Sequence, residues 1–165
     1  MNSSLGQSLA DRFRRKDATV GVVGLGYVGL PICITSAAAG LRVLGLDIDV
    51  QKPAQLKAGR SYLRHIPDDL IRRTLETGRF DATADFTRLG EPDAVLICVP
   101  TPLDAHLQPD LSYVEKTAET IAKHLRRGQL IVLESTTYPG TTAEVVRPIL
   151  EKSGLKADRD FLLAF

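Results

Sequence analysis

Apolar residues along this chain fall into short, nearly continuous runs, and each run is followed by a stretch whose apolar positions recur every three or four residues. The runs are Val20 to Val23, Arg42 to Leu46, Phe80 to Ala84, Asp93 to Val99, Leu130 to Glu134 and Phe161 to Phe165. A strand that is apolar on both faces belongs in a parallel sheet covered on both sides. Helices are predicted over Tyr27 to Ala39, Val50 to Ala58, Pro67 to Thr77, from the Asp110 cap through Leu125, and from a Thr141 or Thr142 cap through Leu150. Gly40, Gly59, Gly78, Gly128 and Gly154 stand where each should end, and Pro31 and Pro67 lie where a missing N–H costs little. Pro148 lies too deep for that exemption and predicts a kink or an early end near residue 147. Strands alternating with helices make this an α/β chain, a doubly wound parallel sheet in three α/β/α layers.

Ahead of the first strand, residues 1–17 are polar and end in a charged run, with Leu5, Leu9 and Phe13 at a four-residue spacing. They read as a polar arm or a short amphipathic helix laid on the domain or on a second subunit. Acidic residues interrupt the basic ones and no apolar stretch follows, so a targeting peptide is not expected. The final apolar run ends without a polar tail, the pattern of an amino-terminal domain taken from a longer polypeptide.

The candidate chemistry starts at Gly24-Leu25-Gly26-Tyr27-Val28-Gly29, on the turn between the first strand and the first helix after it. In that context Gly24 permits a tight turn, Gly26 lets the backbone approach a pyrophosphate, and Gly29 lets the helix pack close to the strand. The phosphates then meet the free N–H groups at the helix start. The second strand delivers Asp47 18 residues after Gly29, the spacing of a carboxylate that binds adenosine ribose hydroxyls and repels a 2′-phosphate. The cofactor expected is therefore NAD in a Rossmann-type fold, lying across the sheet's carboxyl edge between the strands ending at Val23 and Val99. Asp49 reads as the cap of the next helix. Lys52 either curls back over the ribose or is a solvated surface lysine. The proline-dense turn Pro100-Thr101-Pro102-Leu103 and the hydroxyl-rich loop Glu134 to Thr142 both follow central strands, where ligands bind in such sheets.

Composition narrows the function. With 165 residues, 44% hydrophobic and 25% charged, the chain is large enough for one well-buried core. A net charge of +1 offers no general attraction to nucleic acid or to an acidic membrane surface, and no apolar run approaches the roughly 18 residues of a membrane span. Cys33 and Cys98 read as small core residues in a reducing compartment, and His65, His106 and His124 lack metal-ligand spacing, so no metal is expected.

Taken together, Gly24 to Pro31, Leu46-Asp47-Ile48-Asp49, Cys98 to Leu103 and Glu134 to Thr142 resemble the nucleotide-sugar dehydrogenases, the UDP-glucose/GDP-mannose dehydrogenase family. The resemblance runs from about residue 18 to the end. Gly59 to Pro67 and Pro109 to Tyr113 look most like its UDP-N-acetylglucosamine 6-dehydrogenase branch. It implies a cytoplasmic, homo-oligomeric oxidoreductase of polysaccharide biosynthesis. Such an enzyme takes the C6 alcohol of a UDP-sugar to the acid with two NAD, through an aldehyde and a cysteine thioester. It also implies that Asp47 and Lys52 hold the adenosine ribose, that Tyr27 and Val28 offer N–H groups to the pyrophosphate beside Gly24, Gly26 and Gly29, that Pro100 and Thr101 lie near the nicotinamide half, and that Thr136 helps hold a catalytic water. Neither Cys33 nor Cys98 matches the family's cysteine motif, so the chain is expected to bind NAD without turnover. A hydroxyacid dehydrogenase of the 6-phosphogluconate type shares the early glycines, and a nucleotide-sensing module shares the glycines and the acidic ribose ligand. Both share the glycine turn, but the first predicts neither the Pro100-Thr101-Pro102 turn nor the Glu134-Ser135-Thr136 loop, and Asp47 counts against its NADP users.

Overall fold

A computed structural model describes residues 3–102 and 109–165; His106, Leu103 and the rest of the polar loop to residue 108 lie outside the described residues. Six parallel strands form one sheet: β1 Thr19–Val23, β2 Arg42–Leu46, β3 Phe80–Thr83, β4 Ala94–Ile97, β5 Leu130–Leu133 and β6 Leu162–Ala164, in the spatial order β3-β2-β1-β4-β5-β6. The chain winds outward from β1 to one edge, returns, and winds out to the other. The order therefore reverses between β1 and β4, and their carboxyl ends part to leave a crevice. This is the doubly wound parallel sheet expected from the apolar pattern.

Helices α2 (Gly29–Ala38), α3 (Gln51–Lys57) and α4 (Asp68–Glu76) belong to the first half, and α5 (Ser112–His124) and α6 (Arg147–Glu151) to the second. Two apolar layers result. Leu25, Leu30, Cys33, Leu56 and Ile71 bury on one side, and Ile97, Val114, Ile121, Leu133, Leu150 and Phe161 on the other. Helix α1 (Ser3–Arg14) lies on the domain, with Leu9 buried and Phe13 packed against the first layer.

Several boundaries move from their sequence-based positions. The fourth strand stops at Ile97, so Cys98 and Val99 leave the ladder toward the crevice, although the Cys98 N–H still donates to the Val23 carbonyl at 2.8 Å. Helix α2 starts at Gly29 rather than Tyr27, which leaves Tyr27 and Val28 in the turn. The final run is a half-buried edge strand with Phe165 exposed, because β6 pairs with β5 alone. Thr141 occupies the cap position after the hydroxyl-rich loop, yet its hydroxyl donates back to the Tyr138 carbonyl at 2.8 Å instead of accepting a helix N–H. Pro148 does not end its helix. The chain winds as a π-helix over Thr142–Val146 and tightens to α6 at Arg147, which puts the proline in the first turn of the new helix.

The amino edge of the sheet is tied by Asp93. Its carboxylate accepts from the Thr19 N–H at 2.9 Å, from Arg126 at 2.7 Å and from Arg12 of α1. Burial pushes this carboxyl up, but those hydrogen bonds and the two guanidiniums outweigh it and hold it below the usual carboxylate range. The stabilisation is thus fully present above the unfolded-state value near 3.9 and is lost as pH falls through the lower folded value. Asp93→Asn is expected to lower stability by about 2 to 3 kcal/mol at pH 7 in urea unfolding, and to lose less than the wild type as pH falls below about 4.

Candidate functional site

The crevice over β1 and β4 is a cleft of about 900 Å³. Gly24, Gly26, Tyr27, Val28, Asp47, Lys52, Pro100, Thr101 and Thr136 all line it. The loops after β1, β2, β4 and β5 supply them, with Lys52 on the first turn of α3, and the parallel sheet brings them together because every strand delivers its carboxyl end to the same edge.

The three glycines have three physical reasons. Gly24 takes φ +96°, and a Cβ there would meet the Cys98 carbonyl oxygen at 2.6 Å. A Cβ on Gly29 would come within 1.9 Å of the Gly24 carbonyl oxygen, so helix and turn touch there with no room for a side chain. Gly29 does not line the cleft; its part is this close packing. At Gly26 a Cβ would meet no atom of the other described residues within 4 Å. Among the described residues nothing requires glycine at that position, and the space it leaves there can take a ligand. The N–H groups of Gly26, Tyr27 and Val28 have no hydrogen-bond partner among the described residues, and Val28 provides no side-chain cap to α2. A pyrophosphate fits this set, since it brings negative charge and acceptors to unpaired donors at a helix start.

Asp47 is only 5% exposed. Its Oδ2 accepts from the Leu25 N–H at 2.8 Å and from Lys52 Nζ at 2.8 Å, while Oδ1 accepts from the Asp49 N–H at 3.0 Å. Lys52 thus curls back onto the carboxylate. Asp49 accepts from the Gln51 N–H at 3.0 Å, one residue ahead of the position expected for a cap. Across the cleft, the Thr101 hydroxyl donates to the Thr136 carbonyl at 2.7 Å and the Ser135 hydroxyl to the Val99 carbonyl at 2.7 Å. These two bonds join the loops after β4 and β5, so the loop of Pro100 and the loop of Thr136 form one wall.

Tyr62 and His65 lie in the connection Gly59 to Pro67, whose resemblance to one branch of the family assigned no role to either residue. The Tyr62 hydroxyl donates to the Leu25 carbonyl at 2.6 Å, and its ring lies 5.9 Å from Lys52 Nζ. Burial first, then the Asp47 carboxylate, raises this phenol above its ordinary range, so it remains a neutral donor. His65 stacks on Tyr27 with ring centres 5.3 Å apart. Tyr113, Lys116, Thr117 and Thr120 of α5 also line the cleft. They form a stripe at helical spacing opposite the apolar face, which in a sequence reads simply as a solvated surface. Cys98 lines the cleft as well, half-buried, with its thiol pushed up to about 12 by burial and by Glu134. Burial raises Cys33 further. Neither is a thiolate at neutral pH, and the thiolate is the nucleophile.

Residues 18–165 match the model of the NAD binding domain of the UDP-glucose/GDP-mannose dehydrogenase family. The chain belongs to that family. It is 37% identical over 151 residues to the UDP-N-acetyl-D-glucosamine 6-dehydrogenase of Pseudomonas aeruginosa, covering 91% of this chain and 35% of that protein. It is 35% identical to the UDP-N-acetyl-D-mannosamine dehydrogenase of Pyrococcus horikoshii, covering 88% of this chain and 35% of that one. Among solved structures, the NDP-N-acetyl-D-galactosaminuronic acid dehydrogenase of Methanosarcina mazei Go1 superposes with TM-score 0.85 at 35% identity, over 99% of this chain and 36% of that one. The chain spans about a third of the length of the curated relatives it matches. The cofactor of this domain family is NAD, as the glycine turn and Asp47 led one to expect.

The contrast between two glycines is testable. Gly29→Ala is expected to lower stability by about 3 kcal/mol or more in thermal or urea unfolding, because the backbone must move apart. Gly26→Ala should change stability by less than about 1 kcal/mol while weakening NAD in a calorimetric titration.

Proposed function

We propose that this domain binds NAD with its adenosine ribose at Asp47 and Lys52, its pyrophosphate over Gly24 and Gly26 against the N–H groups of Tyr27 and Val28, and its nicotinamide half beside Pro100, Thr101 and Thr136. The observation that carries the proposal is the combination, among the described residues, of open space at Gly26, turn N–H groups without a partner and a buried carboxylate at the adjacent strand end. Gly29 supports the site from behind by letting α2 approach the turn.

The whole protein is proposed to be a cytoplasmic, homo-oligomeric UDP-sugar 6-dehydrogenase acting on UDP-N-acetylglucosamine. Support for the sugar comes from the relatives, several of which are named for N-acetylated nucleotide sugars. No helix among the described residues is long and apolar enough to cross a membrane. NAD, when bound, supplies the hydride acceptor. What this chain's residues do is hold and orient. Thr136 offers a hydroxyl that can position a water but cannot strongly activate one, and it stands on the wall that the Thr101 hydroxyl braces. With both thiols protonated at neutral pH, the chain by itself is proposed to bind NAD without oxidising a UDP-sugar; steady NADH production with UDP-N-acetylglucosamine would overturn that.

Calorimetric titration with NAD and, separately, NADP tests the assignment. NAD is expected to bind and NADP to bind much more weakly. Asp47→Ala should cost about 1 to 3 kcal/mol of NAD affinity, the worth of a charge-assisted hydrogen bond. An unchanged affinity would remove Asp47 from the site.

A further inference from the structure

Among the described residues, the charged side chains that line the cleft are Asp47, Asp49, Lys52, Lys116 and Glu134. Asp47 and Lys52 neutralise one another at 2.8 Å, and Asp49 accepts from the Gln51 N–H at the same strand end. Glu134 and Lys116 differ, since neither side chain has an ion-pair or hydrogen-bond partner among the described residues. They enter from opposite faces of the sheet. Glu134 extends the Ile97–Leu133 pairing by one residue, with its N–H on the Ile97 carbonyl at 3.0 Å, which sets it beside Cys98. Cys98 packs against the first apolar layer, whereas the helix of Lys116 packs in the second. The Glu134 side chain is exposed and its charge reaches this neighbour: burial first, and this carboxylate second, raise the Cys98 thiol. Ser135 and Thr136, the next two residues, belong to the wall joined to Val99 and Thr101. With strands about 4.8 Å apart, Glu134 after β5 stands three spacings, roughly 14 Å, from Asp47 after β2.

We propose that Glu134 makes the cleft prefer the oxidised dinucleotide to the reduced one, by holding a carboxylate beside the ring that is positively charged only before it accepts a hydride. The inference rests on the NAD reading of the cleft and goes beyond it by assigning a residue to the distinction between the two oxidation states. A dinucleotide with its adenosine ribose at Asp47 and its pyrophosphate over the glycine turn brings its nicotinamide ring to the ends of β4 and β5, where this carboxylate stands. The oxidised ring carries one positive charge. A hydride, one proton with two electrons, passes from a substrate carbon to the ring and makes it neutral, while adenine, riboses and pyrophosphate stay as they were. A fixed negative charge at this end therefore attracts the first form and not the second, whereas a carboxylate at the adenosine end treats both alike. The reduced form must leave before another oxidised molecule can enter, so this preference favours the exchange.

The test is a set of calorimetric titrations of the wild type, Glu134→Gln, Glu134→Lys and Asp49→Asn with NAD, NADH and ADP-ribose, which lacks the nicotinamide ring. Thermal unfolding verifies each fold. Glu134→Gln keeps the size of the side chain and the backbone bond to Ile97. It is expected to weaken NAD by about threefold relative to NADH, the scale of one exposed charge pair, and to leave ADP-ribose unchanged. Glu134→Lys should carry the ratio of the two dinucleotide affinities further in the same direction, and Asp49→Asn should leave it at the wild-type value. An unchanged ratio in both Glu134 variants, equal losses of NAD and NADH, a loss of ADP-ribose as large as that of NAD, or a shift of the ratio in Asp49→Asn matching that in Glu134→Gln would each overturn the inference. A wild type that binds none of these ligands would instead overturn the NAD assignment of the cleft, and this inference with it.

Discussion

The hydrogen bond from the Leu25 N–H to the Asp47 carboxylate joins everything that matters in the cleft. A buried carboxylate has to be met by donors, and here two of the donors are backbone groups that cannot swing away. The bond ties the glycine turn to the end of the neighbouring strand. It holds the carboxylate in one orientation at the same time. The turn's position and the position of the proposed ribose ligand are thus one constraint. Tyr62 reinforces it from the other side, accepting no charge and donating to the carbonyl of the same Leu25.

The two edges of the sheet are treated oppositely. At the amino edge the polar groups are consumed: Asp93 is shared by Thr19, Arg12 and Arg126, and Gln129, fully buried, donates to the Leu89 and Pro92 carbonyls while accepting from the Arg126 N–H. These bonds fix β1, β4 and β5 to one another. At the carboxyl edge the donors of Gly26, Tyr27 and Val28 are left without partners among the described residues. Closure at one edge supplies the rigidity that lets the other stay open. Close packing does the same work within the turn, where Gly24 and Gly29 have no spare volume and Gly26 has volume to spare.

Much of this was legible beforehand, and for a definite reason. Buried parallel strands are apolar on both faces, glycines at tight turns and helix ends have few substitutes, and an acidic residue one strand beyond a glycine turn is set there by strand and helix lengths. These are local consequences of chain geometry, so the strand β2 at Arg42–Leu46, the turn at Gly24 to Gly29 and the placement of Asp47 could be read in one dimension. Lys52 was ambiguous for the opposite reason: a lysine on a short helix is solvated unless some other segment presents a partner.

What only the tertiary structure decided are the matters settled between distant segments. The Tyr62 strap crosses 37 residues to reach Leu25, and Thr101 braces Thr136 across 35. Neither pairing leaves a periodic or compositional trace. The stripe Tyr113, Lys116, Thr117 and Thr120 faces a cleft instead of bulk water because the β4 loop and the glycine turn stand opposite it. The terminal strand is half-exposed because no seventh strand covers it among the described residues. The sequence by itself determined the alternation of strands and helices, the glycine turn and the charge at Asp47, since each follows from backbone conformation and local spacing. Which hydroxyls are spent on the protein and which N–H groups stay free for a ligand depended on packing between distant segments, which no local pattern encodes.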